Sequence, residues 1–494
     1  MSGVTALQQP GRAGQRTQAG FLRAAWTVCR EEWRALRRSA VAVTAAALLL
    51  ALTLAATLVS YEQMRAVNAE RAHLQHESDT QWNAQPDRHP HRVVHYGHYI
   101  FRPLSPLAFF DFGVDPYTGH TLFLEGHRQN SANFSDAGQS SVLLRFGQLT
   151  PAFVVQTLTP LVIAFLAFGS VARERERGQL RLLLSQGLPG GALLAGKLAS
   201  HGIVALLLAA PALAALALIG AYDASVRAHA AWMATGYAAY VLVWAFAAVL
   251  VSAAMPRARD ALLALVGCWI VTVILLPRVM PDVAAAQVPR PTRIETDVTI
   301  HKELAAYGDS HNPDDPHYAA FRRKVLEQYG VGRIEDLPVN YKGLVIEEGE
   351  RLTSELFVRH MHEEFARQEA QAGIVGLAQM ASPVLALRRL SNALAGTDRA
   401  SHERFLLEGE AYRYRMIQAL NRLHATEVRY ANDKETRISA SFWRQLPRFT
   451  HVPLDLATIA ERHVRPALAV FAAWMALLVG VAWWLARRLE RNAR

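Results

Sequence analysis

Six apolar stretches punctuate the chain, at 40–60, 151–171, 193–220, 231–254, 261–276 and 467–485. Within them the only charged residue is Lys197 and the only histidine is His201, both near the start of the third. In hydrocarbon every backbone N–H and C=O must be satisfied within its own segment, so runs of this length read as transmembrane helices. The fifth is the shortest and its ends are the least defined. Ahead of the first run, Leu22, Trp26, Cys29, Trp33 and Leu36 recur at alternating steps of four and three among arginines and glutamates. That pattern predicts an amphipathic helix lying in the membrane interface. Residues 1–20, rich in Gly, Gln and small residues, read as flexible.

Between the spans lie two long polar segments, 61–150 and 277–466. The first begins with a run free of Gly and Pro, which predicts that the helix of the first span continues past the membrane. From Pro86 it turns to Pro, Gly and aromatics, the text of a compact irregular or partly β region. The second insertion reads as mainly helical. The stretch 344–371 has no proline, and Phe405, Tyr412, Met416, Leu420 and Leu423 form a packing stripe at helical spacing. Between these, 374–396 is apolar but broken by Gly376, Pro383, Arg388 and Arg389. It reads as lying on the membrane surface or in the domain core rather than spanning. The fold class expected is an all-α polytopic membrane protein with six transmembrane helices and two extracytoplasmic insertions.

Charge sets the orientation. Arg23, Arg30, Arg34, Arg37 and Arg38 precede span one, and Arg173, Arg175, Arg177 and Arg181 join spans two and three. Arg257 and Arg259 join spans four and five, and Arg487, Arg488, Arg491 and Arg494 close the chain. Alternating helices put all four groups on one side, which the positive-inside rule makes cytoplasmic. The expected organisation is a cytoplasmic tail and interfacial helix (1–39), span one (40–60) and the first insertion (61–150). Spans two to five (151–276) follow, with a cytoplasmic loop at 172–192, then the second insertion (277–466), and span six with its tail (467–494). The location expected is a cell inner membrane, multi-pass, with both termini cytoplasmic. The first span follows too long a lead to read as a removable signal peptide, and is expected to stay as an anchor. A net charge of +10 is accounted for by flanks facing anionic lipid, and calls for no nucleic-acid partner. Cys29 and Cys268 are the only cysteines, and both fall outside the insertions, so no disulfide or thiolate metal site is expected there.

The stretch GGALLAGKLAS, 190–200, resembles a phosphate-binding loop, because Gly191, Gly196 and Lys197 have the right spacing. The position that should carry the magnesium-binding hydroxyl is Leu198, however, and an apolar span follows instead of a soluble helix. The reading taken is a set of small residues at the cytoplasmic start of span three, with Lys197 at headgroup depth. No Gly-x-Ser-x-Gly elbow, zincin motif or paired-carboxylate signature occurs, so catalysis by this chain is not expected. Any ATP and magnesium would be bound by a partner chain.

The run FGSVARERERGQLRLLLSQGLPGGALLAGKLAS, directly after span two, closely resembles the first cytoplasmic loop of type-2 ABC exporter permeases. There a segment of the form E-R-E-x-G-T-L-x-L-L-L-S, followed by a turn and G-K, forms the helix that docks on the ATPase. Glu174, Arg175, Glu176, Arg177, Gly178, Leu180, Leu182, Leu183, Leu184 and Ser185 fill those places, with Gly196 and Lys197 beyond; Gln179 replaces the common threonine. In the second insertion LPRVMPDVAAAQVPRPTR, EDLPVNYKG and ALAGTDRASHERF resemble permeases linked to multicopper-enzyme, including nitrous-oxide-reductase, maturation. The resemblance implies a permease subunit partnered by ABC ATPase subunits and by a second copy or a paralogue. The competing reading is a non-transporting membrane scaffold whose external domains bind a periplasmic enzyme or metal carrier.

Residues 73–127 hold a run of histidines, the commonest metal ligands. His91, His95 and His98 have usable spacing, and His73 with His76 could share a helix face. Histidines packed in or solvating an aromatic-rich loop give the same pattern, and the sequence alone assigns no metal site. Asp398 and His402 stand at i and i+4, but Thr397 or Asp398 is better placed to cap the helix that holds His402.

Overall fold

The computed structural model describes residues 11–129 and 149–493. Six of its helices are long and apolar enough to cross a membrane: span one (Ala40–Asn83), two (Pro151–Glu176), three (Gly190–Tyr222), four (Ala224–Ala254), five (Ala258–Gln287) and six (Leu456–Arg491). The protein is an all-α polytopic membrane protein, with one two-stranded sheet among the described residues. Span one runs on unbroken to Asn83, as its composition predicts, and the short fifth apolar run lies inside a helix of 30 residues. The amphipathic helix covers Gly11–Arg38, so the flexible segment expected over 1–20 is corrected from residue 11 onward. Residues 1–10, and 130–148 of the first insertion, lie outside the described residues.

Proline shapes three spans. π-helical turns at Val154–Leu158, Ile270–Leu275 and Ala460–Val464 each end just before a proline, Pro160, Pro277 and Pro466. A proline lacks the N–H that would reach back four residues, and a wider turn relieves the clash of its ring with that carbonyl. At Pro160 the freed acceptor is the Gln156 carbonyl, and the Tyr240 hydroxyl of span four donates to it at 2.7 Å. The neighbouring Thr157 carbonyl accepts from Trp269 Nε1 of span five at 2.9 Å. The π-helical turn in span two is thereby tied to its neighbours. Spans three and four pack through Ala205, Ala209, Ala212, Ala245 and Ala248, all buried, since small side chains let membrane helices approach closely.

The two insertions pack on each other at one end of the bundle. Strands β1 (His98–Phe101) and β2 (Thr121–Leu124) pair antiparallel, His98 opposite Leu124. Their inner residues Ile100, Leu122 and Leu124 join Trp82 and, from the second insertion, Phe405, Met416, Leu420 and Trp443 in one apolar core. Most of the stripe expected from Phe405 onward therefore faces inward, on the helix Arg399–Glu427. Asp398 caps that helix, accepting from the Ser401 N–H at 3.1 Å. The helix Tyr341–Leu377 lies beside it. Of the two readings left open for 374–396, the structure takes the buried one from Pro383 onward: Val384, Leu387, Leu390 and Leu394 of the helix Pro383–Ala395 sit in the same cluster as Tyr237, Tyr240 and Trp244 of span four. That helix plugs the insertion end of the bundle.

Candidate functional site

At the other end, span two closes with the short helix Ala172–Glu176, and a second short helix, Gln179–Ser185, leads on to span three, with Gly178 between them at φ 74°. A left-handed residue is easy only for glycine, and here it breaks the helix between the two short segments. Glu174, Arg175 and Glu176 of the first short helix each hold a different span. Glu174 Oε1 accepts from Lys197 Nζ of span three at 2.8 Å. Arg175 donates to the Ala253 carbonyl at 2.6 Å and to that of Met255, satisfying orphan carbonyls where span four ends. Glu176 Oε1 accepts from the Ala258 N–H at 3.1 Å, where span five begins. Ser252 Oγ of span four accepts from both Val171 and Ala172 N–H at 3.1 Å. The connector is thus anchored to spans three, four and five by consecutive side chains.

Lys197 has protein partners where the sequence suggested lipid headgroups. It is 1% exposed, and its Nζ donates to Glu32 Oε2 at 2.8 Å, Glu174 Oε1 at 2.8 Å and the Ser170 carbonyl at 2.7 Å. Burying an ammonium is tolerable only when it is paired and its donors are used, and here all three are. Glu32 comes from the amphipathic helix, which crosses span three at Gly196. A Cβ on Gly196 would lie 2.4 Å from the Ala25 carbonyl oxygen and 2.7 Å from Val28 Cβ. The glycine and lysine of the phosphate-loop look-alike therefore serve one junction, the first by letting two helix backbones meet and the second by bridging them electrostatically.

The second connector helix points its charge and part of its apolar surface outward. Leu180 is buried, Leu183 and Leu184 are half-buried, and Leu182 is 57% exposed. Arg177, Arg181 and Ser185 are exposed beside it. Between this helix and the amphipathic helix lies an open cleft of about 810 Å³, lined by Arg23, Thr27, Glu31, Leu183, Gln186 and Pro189 among others. The sequence grouped Glu174, Arg175 and Glu176 with the leucines; in the structure Glu174 and Arg175 are half-buried against the bundle, whereas Glu176 and Leu182 are exposed.

The histidines regroup. His91 and His95 meet, Nε2 to Nε2, at 3.1 Å. His98 leaves the set: it lies on β1, with Nδ1 3.3 Å from Ser78 Oγ and Nε2 3.5 Å from Asp79. His73 and His76 are exposed on the extension of span one. In place of His98 stand His127, after the hairpin, and His311 of the second insertion. One ligand nitrogen from each of His91, His95, His127 and His311 lies within 4.8 Å of the others. His127 was visible as part of the histidine-rich run; His311, far along the chain, carried no spacing signal. His89, His424 and Asp433 form a neighbouring group, whose carboxylate already accepts from His424 at 2.7 Å, Asn340 at 2.8 Å and Lys342 at 3.3 Å. Burial, and then the surrounding imidazoles, hold His91 down to about 3.

A family profile described as ABC-2 family transporter protein matches residues 26–308, and one described as a domain of unknown function (DUF3526) matches residues 293–452. No curated protein matches the chain significantly.

Proposed function

The chain belongs to the ABC-2 transporter family and is a transmembrane permease of that family; from this premise we propose that it is the permease subunit of an ATP-driven exporter, worked by separate ABC ATPase subunits through the connector after span two. ATP and magnesium belong to the partner, and this chain supplies the path. Two copies, or one copy and a paralogue, complete the membrane part. The connector end faces the cytoplasm and the insertions face outward from the inner membrane, as the arginine flanks favour. The second insertion, the part matched by the domain of unknown function, carries the EDLPVNYKG and ALAGTDRASHERF segments that resemble multicopper-enzyme maturation permeases, and we place the chain in that group.

The observation that carries the reading is the connector: Leu182 is exposed on a short helix, and one turn of chain before that helix three consecutive residues, Glu174, Arg175 and Glu176, hold spans three, four and five. An exposed leucine on such a helix suits a cleft on a soluble partner. A push on it is transmitted to three spans at once, through Lys197, through the end of span four and through the start of span five. Leu182→Asp tests this. The variant should insert and remain monodisperse in detergent, while co-purification of the ATPase and transport-coupled hydrolysis fall at least about tenfold, because an unpaired carboxylate in an apolar contact costs more than one tenfold step. Full co-purification and hydrolysis with Leu182→Asp would overturn it. The scaffold alternative predicts no ATPase partner with either chain.

A further inference from the structure

We infer that His91, His95, His127 and His311 form a binding site for a divalent first-row transition ion, zinc or copper(II), which ties the two insertions together. The inference is independent of ATPase coupling.

The geometry is that of a ligand set. A tetrahedral ion with metal–nitrogen distances of about 2.0–2.1 Å places its ligand nitrogens about 3.3 Å apart. His91 and His95 Nε2 stand 3.1 Å apart, and all four nitrogens lie within 4.8 Å of one another, so rotation of side chains is enough to close the set. Two facing imidazole nitrogens can share one proton between them, which accounts for His91 and His95 but not for His127. His127 Nε2 is buried with no hydrogen-bond partner.

The outer groups fit as well. The other ring nitrogen of His127, Nδ1, lies 3.1 Å from Glu350 Oε2, and Glu350 is 0% exposed. The Nδ1 of His311 lies 3.2 Å from Asp309 Oδ1. A metal-bound histidine commonly donates its second nitrogen to a carboxylate, which fixes tautomer and ring direction. Glu350 is itself held by Arg413 at 2.5 Å, and Arg413 is shared with Glu410. The backbone of His127 is also committed: it has a positive φ, 61°, the only non-glycine residue among the described residues to do so. Its N–H donates to the same Glu350 oxygen at 3.0 Å. A strained backbone held by a buried carboxylate, aiming a ring at three others, is the kind of outlier found at ligand sites. Four neutral nitrogen donors suit zinc and copper(II) and disfavour magnesium and calcium, which take oxygen.

Three ligands come from the first insertion and His311 from the second. Loading the site would therefore cross-link segments that are far apart in the chain.

The test uses full-length protein in detergent, stripped with chelator and then titrated with Zn²⁺, Cu²⁺ or Mg²⁺. One equivalent of Zn²⁺ or Cu²⁺ per chain should remain after desalting, and no Mg²⁺. Cobalt(II) should give the intense visible absorption of a tetrahedral nitrogen site. His311→Ala alters a half-exposed residue and should leave elution and melting of the stripped protein unchanged while abolishing retention. Asp309→Asn should weaken binding about 10–100-fold. His73→Ala, on the exposed helix, should have no effect. Retention of one equivalent by a protein carrying both His311→Ala and His91→Ala, or failure of the wild-type protein to retain Zn²⁺ or Cu²⁺, overturns the site.

Discussion

Lys197 of span three donates to Glu174 of the preceding connector at 2.8 Å, from a position 1% exposed. Glu32, from the amphipathic helix, takes a second proton of the same ammonium at 2.8 Å. One side chain thus joins three elements that meet at the end of the bundle where the connector lies.

The first prediction follows from that pairing. Removing one partner of a buried ion pair leaves the others uncompensated and costs about 3–5 kcal/mol. Glu32 and Glu174 keep a solvent edge, 15% and 24% exposed, which places Lys197→Ala at the low end. The expected result is a clearly lowered melting temperature of the detergent-solubilised protein. Replacing the three together, Lys197→Met with Glu32→Gln and Glu174→Gln, should recover most of the loss. A lysine at headgroup depth would tolerate Lys197→Ala without change.

Topology is the second. Single cysteines at Glu77 and Lys434, both exposed, should react with an impermeant thiol reagent on intact spheroplasts, once Cys29 and Cys268 are replaced. A cysteine at Arg181 should react only after lysis. The reverse pattern would invert the assignment of sides drawn from the arginine flanks.

A pH dependence is the third. Burial and the Arg102 guanidinium hold His402 down to about 4, and burial with Arg71 and Arg102 holds His120 down to about 2. Unfolded histidine takes its proton near pH 6.5, so below that value the unfolded chain binds more protons than the folded one. Stability then rises with pH. This contribution is complete above about pH 6.5 and is lost as pH falls from there through about 4. Thermal unfolding of the chelator-treated protein should show a lower midpoint at pH 5 than at pH 7.5. His402→Gln should narrow that difference, and an unchanged difference would remove His402 from the account.

Much of this architecture is legible in the chain, and the rest fails for identifiable reasons. Span limits follow hydropathy because lipid leaves the backbone no alternative. The connector shows in its sequence as charges, a glycine and leucines, yet the roles of its charges do not. The partners of Glu174, Arg175 and Glu176 are a lysine in span three, carbonyls at the end of span four and an amide at the start of span five, and periodicity within the connector carries no record of them. Lys197 reads as a headgroup residue because Glu32, 165 positions away, appears in the sequence only as one charge of an interfacial helix. The histidines divide the same way. His91 and His95, one helical turn apart, are found by spacing, whereas His98 is lost because a strand turns it to Ser78 and Asp79. His311 joins through packing of the two insertions, which sequence spacing does not encode.

The central claim is that the helix Gln179–Ser185 is where an ABC ATPase grips this permease. A photo-crosslinking residue placed at Leu182 tests it most directly, with the same residue at Leu377 of the second insertion, 79% exposed, as the comparison. On illumination of native membranes, the Leu182 probe should capture an ATPase subunit, and ATP with vanadate should change the yield; the Leu377 probe should capture none. Capture at Leu377 with none at Leu182 would contradict the coupling assignment.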